Sequence, residues 1–385
     1  MTFRILSLDG GGTWALLEAM ALADIYPGLT GHQILSGFDL IVANSGGSIV
    51  LGGLMIDVPP ATILSYFQNQ TNRLGIFHKK PWIEEALSAL PIFPRYDMAQ
   101  KRVGLSAVFG PPGDTPLDQW SVEGPSGSPV GALIVSFDYD RMRAEFLRSY
   151  AVPSTGAVAE STPLVDAVHA STNAPVTFFD GPALVPPRRY WDGAMGGFNN
   201  PLMAAVVDAI ALGAQPEEIE CLSIGTGQTR LVPADLVPAG GTTAPSLVAP
   251  AASPGPVADA GRAAGCITDD PPDAATFTAH VVLRNTPGEL GRVVRMSPLV
   301  QPVRDGSSGW IYPTALPQPL FDPLIKLQMD AVEQPDVDLI GQLGDAWINQ
   351  GSPNHPIRMG DDLSCALGDE TYAAAKARWL ALIGG

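Results

Sequence analysis

Apolar runs of strand length recur along the chain, each ending in a glycine-rich or polar turn and followed by a longer stretch of helix formers. Arg4 to Leu8 reads as a first strand, and Trp14 to Ile25, rich in Ala, Leu, Met and Glu, as the helix behind it. Phe38 to Ala43 reads as a second strand, and Ser48 to Met55 opens another helix. A repeated strand, turn and helix unit of this kind predicts the α/β class, a parallel sheet covered by helices.

The pattern weakens over residues 59–129, where Pro-rich segments carry Phe67, Phe77, Trp82, Phe93 and Tyr96. This stretch is expected to be a helical and loop insertion and a candidate lid, with most of its aromatic side chains in the core. Strand signals return at Ala132 to Phe137 and Glu145 to Tyr150, followed by a short helix from Leu164 to Ala170 and a strand end at Arg189 to Asp192. Pro201 and Gly213 bracket a helix over Leu202 to Leu212, and Ile219 to Ile224 is the next strand. Residues 228–275 are crowded with Ala, Pro, Gly and Thr without either period, which predicts a surface insertion. Arg292 to Met296 is β-like, Glu370 to Leu382 is a closing helix, and no internal repeat is visible. Strands on either side of the second insertion read as parts of one sheet, so residues 1–385 are taken as a single domain.

Composition narrows the partners. Hydrophobic residues at 46% and charged residues at 16% describe a chain that folds. Acidic residues outnumber basic ones 39 to 22, a formal charge of -17, which argues against a nucleic-acid partner. The short basic runs at Arg188 and Arg189 and at His78, Lys79 and Lys80 read as solvated surface. Three scattered cysteines, Cys221, Cys266 and Cys365, have no CxxC spacing and would leave one unpaired, which fits a reducing cytoplasm. The N-terminus enters a strand pattern at once, so no secretion signal is expected, and no apolar stretch approaches the roughly 18 residues of a membrane span. Membrane contact is expected to be peripheral. The sequence calls for no cofactor or metal, and it leaves the oligomeric state open.

Three turns carry chemistry. Ala43-Asn44-Ser45-Gly46-Gly47 joins a strand to a helix, the sharp turn that exposes a nucleophilic serine between small residues, with Ala43 where GxSxG has its first glycine. Ser48 is a poorer nucleophile candidate, since Val50 at plus two is too bulky for that turn. Asp9-Gly10-Gly11-Gly12 ends a strand and opens a helix, so its amides can converge on an anionic oxygen at the positive end of a helix dipole. Asp192-Gly193-Ala194 follows a strand end and places a carboxylate beside small residues. Each alone is also what an ordinary tight turn looks like, but their chemical roles are complementary.

Together these residues resemble the patatin-like phospholipase family. Asp9-Gly10-Gly11-Gly12, Asn44-Ser45-Gly46-Gly47 and Asp192-Gly193-Ala194 are similar to that family's oxyanion loop, nucleophile elbow and catalytic aspartate, in the same order. Ala170-Ser171-Thr172-Asn173-Ala174-Pro175 with Phe178, and Leu222-Ser223-Ile224-Gly225-Thr226-Gly227, agree as well, so the likeness covers roughly residues 4 to 227. It implies a three-layer α/β/α sandwich with a mostly parallel central sheet. It also implies a serine acyl hydrolase acting on lipid or other acyl esters, with a Ser45–Asp192 dyad and an oxyanion hole from Gly10, Gly11, Gly12 and Thr13. A carboxylate of ordinary pKa, about 3.9, is a feeble base, so Asp192 should be partly desolvated. The family has a basic residue followed by glycine where this chain has Trp14 and Ala15, so no cation is expected at the site from that position.

Other readings compete. Asp9-Gly10-Gly11-Gly12-Thr13, with Gly225-Thr226-Gly227, also looks like the phosphate loops of actin-like ATPases and sugar kinases, which would require a hairpin after Thr13. A Ser–Asp–His triad would need a late histidine, His280 or His355, the latter in what reads as a solvated loop; His169 precedes Asp192, on a helix flank. A lipid-binding protein of the same fold without catalysis is the third.

Overall fold

The apolar runs become strands because they are buried on both faces, which suits near-continuous hydrophobic sequence in a parallel sheet. The structure is a computed structural model that describes residues 2–80, 94–175, 178–250, 255, 271–283, 291–305, 309–357 and 368–384. In chain order the strands are β1 (Phe3–Leu8), β2 (Leu40–Asn44), β3 (Gly131–Asp138), β4 (Arg143–Arg148), β5 (Ala183–Val185), β6 (Arg188–Asp192), β7 (Ile219–Ile224), β8 (Gln228–Thr229), β9 (Val293–Met296) and β10 (Leu299–Val300). The helices used below are α1 (Leu16–Ile25), α2 (Gly31–Leu35), α3 (Ser45–Met55), α4 (Pro60–Gln68), α5 (Gln70–Ile76), α6 (Met98–Phe109), α7 (Leu164–Ser171), α8 (Leu202–Ala211), α9 (Pro271–Val282), α10 (Gln318–Leu324), α11 (Gln334–Asn349) and α12 (Tyr372–Gly384).

β9, β7, β1, β2 and β3 lie side by side and parallel, with antiparallel β4 beyond β3 and an antiparallel pair β5–β6 at the end. Successive residues of a strand face opposite layers. Leu6, Leu8, Ile41, Ala43, Ile134 and Leu222 pack against helices that include α1, α3, α7 and α11. Ile5, Leu40, Val42, Leu133, Val135 and Cys221 face α8 and the end of α9. The result is the three-layer α/β/α arrangement expected from the sequence.

The pairing around β3 decides where the chemistry can occur. β4 pairs with Leu133 to Asp138 and occupies one edge of β3, so β2, on Gly131 to Val135, and β6, on Ser136 to Asp138, must share the other. β2 runs parallel to β3 and β6 antiparallel, so the two meet end to end. Asn44 stands opposite Val135 and Asp192 opposite the next residue, Ser136. Two segments 148 residues apart are thereby joined at their C-terminal ends.

Most expected elements appear within a few residues of their reading, and Ile219–Ile224 coincides. Residues 59–129 contain α4, α5 and α6 and no sheet strand among the described residues, and Phe67, Phe77 and Tyr96 are buried; Trp82 and Phe93 lie outside those residues. The second insertion differs from expectation at both ends. β8 pairs with β10, Val232 and Leu247 are buried, and helix α9 begins at Pro271. β7 and β9, on either side of it, are neighbours in one sheet. The short α2 and two later helices, α10 and α11, were not expected either. α10 is disguised by Pro319 and Pro323, whereas α11 carries a legible apolar stripe at Val337, Ile340, Leu343 and Trp347. Among the described residues no helix is long and apolar enough to cross a membrane.

Candidate active site

The elbow is built by β2 ending and α3 starting without a connecting residue. Ser45 has φ 47°, a left-handed conformation that costs a non-glycine residue free energy and persists where surroundings enforce it. Its amide donates to Ser171 Oγ at 2.9 Å, and its carbonyl accepts from Ser48 Oγ at 2.6 Å. The helix begins at Ser45, not at Ser48 as the sequence suggested, so the serine sits at its positive end. A Cβ on Gly46 would fall 2.5 Å from the Gly12 carbonyl oxygen, which is why a bare residue is needed for the elbow to touch the loop after β1. Ala43 does not disturb the turn, because its methyl is buried in the core opposite Leu8 and Ile134.

Asp192 is 3% exposed. Its Oδ1 accepts from the Ala194 amide at 2.9 Å and from Asn44 Nδ2 at 3.1 Å. The Ser45 side chain lies close enough to act on this carboxyl as a donor. Burial raises the Asp192 carboxyl above its ordinary value, with Ser45, Ala194, Asn44 and the charge of Lys101 pulling the other way.

The loop after β1 lies against this pair. The amide of Gly10 donates to the Asn199 carbonyl at 2.7 Å and that of Thr13 to the Met329 carbonyl at 2.9 Å, so two of the four expected oxyanion donors already have acceptors. Gly11 and Gly12 donate to no protein acceptor among the described residues. Thr226 Oγ1 donates to the Gly10 carbonyl at 2.9 Å and braces the loop from the end of β7. Asp9 is paired with Arg295 of β9 at 2.5 Å, and Arg295 also reaches Ser223 Oγ at 2.8 Å. Burial raises the Asp9 carboxyl against the pull of Arg295, and raises that of neighbouring Glu18 well above the usual range.

Sequence reasoning missed several residues here. Asn44, Ser171 and Asn173 were noticed only as parts of motifs, yet Asn44 holds Asp192, and Ser171 and Asn173 hold the Ser45 and Asp192 amides. Lys101 of α6 is fully buried and lines the same cavity as Ser45, although no cation was expected at the site. Ile49, Ile76, Phe77, Phe178, Phe179 and Met329 supply most of the remaining wall. The cavity measures about 20 Å³, room for one water and not for an acyl chain.

The segment between α10 and α11 contributes Met329 and Asp330 to the wall of this cavity. Trp14 Nε1 donates to the Gln328 carbonyl at 3.1 Å, Tyr96 and Arg95 hold Asp330 at 2.7 and 2.9 Å, and Arg73 donates to the Val332 carbonyl at 2.7 Å. Neither His280 nor His355 lines the cavity. His355 is buried rather than solvated, its Nε2 2.8 Å from Asp273. His169 is buried on α7 and held neutral, its pKa pushed down to about 2, chiefly by burial. The basic runs, half-buried at Arg188 and Lys80 and exposed at Arg189 and Lys79, pair with carboxylates: Arg188 with Glu145, Arg189 with Asp140, Lys79 with Glu333 and Lys80 with Asp180. After Thr13 the chain continues into α1 and β1 pairs in parallel with β2, so the hairpin required by an actin-like phosphate loop is not formed there.

The sequence profile of the family described as Patatin-like phospholipase matches residues 6–206. A curated protein of Pseudomonas aeruginosa (strain BWHPSA011 / Pa011), "cGAMP-activated phospholipase", is 27% identical over 182 residues, covering 46% of this chain and 48% of that protein. The chain thus matches about half the length of this relative. A solved structure, VipD from Legionella pneumophila, aligns over 100% of this chain and 75% of its own at 13% identity and a TM-score of 0.34, too low to support an inference.

Proposed function

The chain belongs to the patatin-like phospholipase family, and from that footing we propose that it is a lipid acyl hydrolase with Ser45 as nucleophile and Asp192 as base. The observation that carries this is the meeting of β2 and β6 on one edge of β3, which sets a strained serine against a desolvated carboxylate. Ser45 Oγ attacks the ester carbonyl while its proton passes to Asp192. The tetrahedral oxyanion is held by the free amides of Gly11 and Gly12, where one good donor is worth on the order of a hundredfold to a thousandfold in rate. Collapse expels the alcohol, which takes the proton back from Asp192, and leaves acyl-Ser45. Water, giving its proton to Asp192, then releases the carboxylic acid and restores the serine.

The apolar wall around Ser45 supports an acyl chain as the part of the substrate that enters. A fluorophosphonate probe tests the nucleophile. A single adduct on Ser45, lost in Ser45→Ala, supports the enzyme; folded protein that takes no label even when the 328–333 segment is released by Asp330→Ala supports a non-catalytic lipid binder. A screen of phospholipids, glycerides and simple esters, with Ser45→Ala and Asp192→Ala as controls, then identifies the substrate.

The small size of the cavity supports a regulated version of the same reading, in which a ligand displaces the 328–333 segment. The relative's name makes cGAMP the first ligand to try, and faster labelling of Ser45 in its presence would bear this out.

A further inference from the structure

Lys101 is unusual for a lysine in being buried along its whole length, with Nζ 2.9 Å from the His169 carbonyl, 3.2 Å from Thr172 Oγ1 and 2.9 Å from Asn173 Oδ1. All three are obliged to accept. The carbonyl has no proton, the Thr172 hydroxyl proton is committed to the Val168 carbonyl at 2.8 Å, and Asn173 Nδ2 donates to the Gly181 carbonyl at 2.7 Å, which fixes its oxygen toward the lysine. Three acceptors require three N–H groups, so the site is built for the ammonium form and not for the neutral amine. The Phe179 ring, 4.3 Å from Nζ, adds a face that also favours a cation.

The turn that Lys101 grips is the one that holds the dyad. Ser171 Oγ accepts the Ser45 amide and the Asn173 carbonyl accepts the Asp192 amide at 3.0 Å. We infer that Lys101 is a positioning residue, which clamps the His169 to Asn173 turn beneath both members of the dyad and, bound to the same Asn173 that holds the Asp192 amide, brings a positive charge near the Asp192 carboxylate. This rests on the Ser45–Asp192 reading above. Other charged groups nearby are accounted for: Arg102 pairs with Asp166, Asp330 with Arg95, and His169 is neutral. Burial lowers the Lys101 ammonium well below its ordinary range with the Asp192 charge pulling the other way, and Lys101 in turn opposes the effect of burial on the Asp192 carboxyl.

The test is the rate of fluorophosphonate labelling at Ser45 as a function of pH, for the wild type, Lys101→Met, Lys101→Arg and Asp192→Asn. Labelling needs an ionised Asp192, so it falls on the acid side. Removing the charge in Lys101→Met moves that fall upward by about one pH unit, and Lys101→Arg leaves it in place. A merely structural lysine would lower the melting temperature without moving the acid limb, and coincident limbs would overturn the inference. If Lys101→Met does not fold, Lys101→Gln, which keeps a donor and loses the charge, takes its place, and an acid limb that coincides with the wild type overturns the inference. Failure of the dyad itself is distinguishable, since then Asp192→Asn labels as fast as wild type, or Ser45 takes no label even in Asp330→Ala.

Discussion

Asp192→Asn preserves size and shape and removes only the ability to take a proton. The asparagine Oδ1 can still accept from Ala194 and Asn44, which donate to this atom at 2.9 and 3.1 Å. Its amide group would face Ser45 and cannot act as a base. A positioned general base contributes roughly 10² to 10⁴ in rate, so labelling and ester hydrolysis should fall by about that factor. Stability should move the other way. Asp192 has a folded pKa raised above its ordinary value of 3.8, mainly by burial, so the folded chain keeps this proton to higher pH than the unfolded chain. Stability from this group therefore declines as pH rises from the unfolded value through the folded one. Above both, each unit of displacement is a cost of about 1.4 kcal/mol. The raised value already includes the opposing pull of Lys101, so the direction stands with that charge in place. At neutral pH the variant should melt higher than wild type, by roughly 1 to 2 °C per kcal/mol for a chain longer than the domains on which that scaling rests. Circular dichroism melts and labelling rates on the same preparation check both halves. A variant that labels at the wild-type rate would refute Asp192 as base, and one that is inactive but less stable would refute the account of its buried charge.

Three further outcomes are expected. Ser171→Ala strands the buried Ser45 amide, costing about 1 to 3 kcal/mol in thermal or denaturant unfolding, and should slow labelling about tenfold or more because the elbow shifts. Arg295→Met leaves Asp9 and Glu18 without their cation and should cost about 3 to 5 kcal/mol in denaturant unfolding at neutral pH. Because the Asp9 carboxyl is already raised and would rise further, that deficit should shrink as pH falls, and an unchanged midpoint at both pH values would contradict the burial argument. Asp330→Ala removes the partner of Arg95 and Tyr96 and should loosen the 328–333 segment, speeding labelling of Ser45 by about tenfold if a charged hydrogen bond holds it shut; unchanged labelling of folded protein would show that this segment is not the barrier.

The sequence by itself determined the local features. Strands buried on both faces need unbroken apolar runs, and the elbow and loop need small residues, so β1, β2, β7 and the residues around Ser45 and Asp9 were legible without coordinates. α11 carries its own local signal too, an apolar stripe at Val337, Ile340, Leu343 and Trp347. Only the tertiary structure decided which strand ends meet. That Asp192 abuts Asn44 follows from β2 and β6 sharing an edge of β3, a consequence of pairing between segments that carry no local record of each other. The same holds for Lys101, whose neighbour Arg102 makes the pair look like a solvated helix face. A lysine's burial is set by the acceptors that gather around it, and here all three come from His169, Thr172 and Asn173, on and just beyond a different helix.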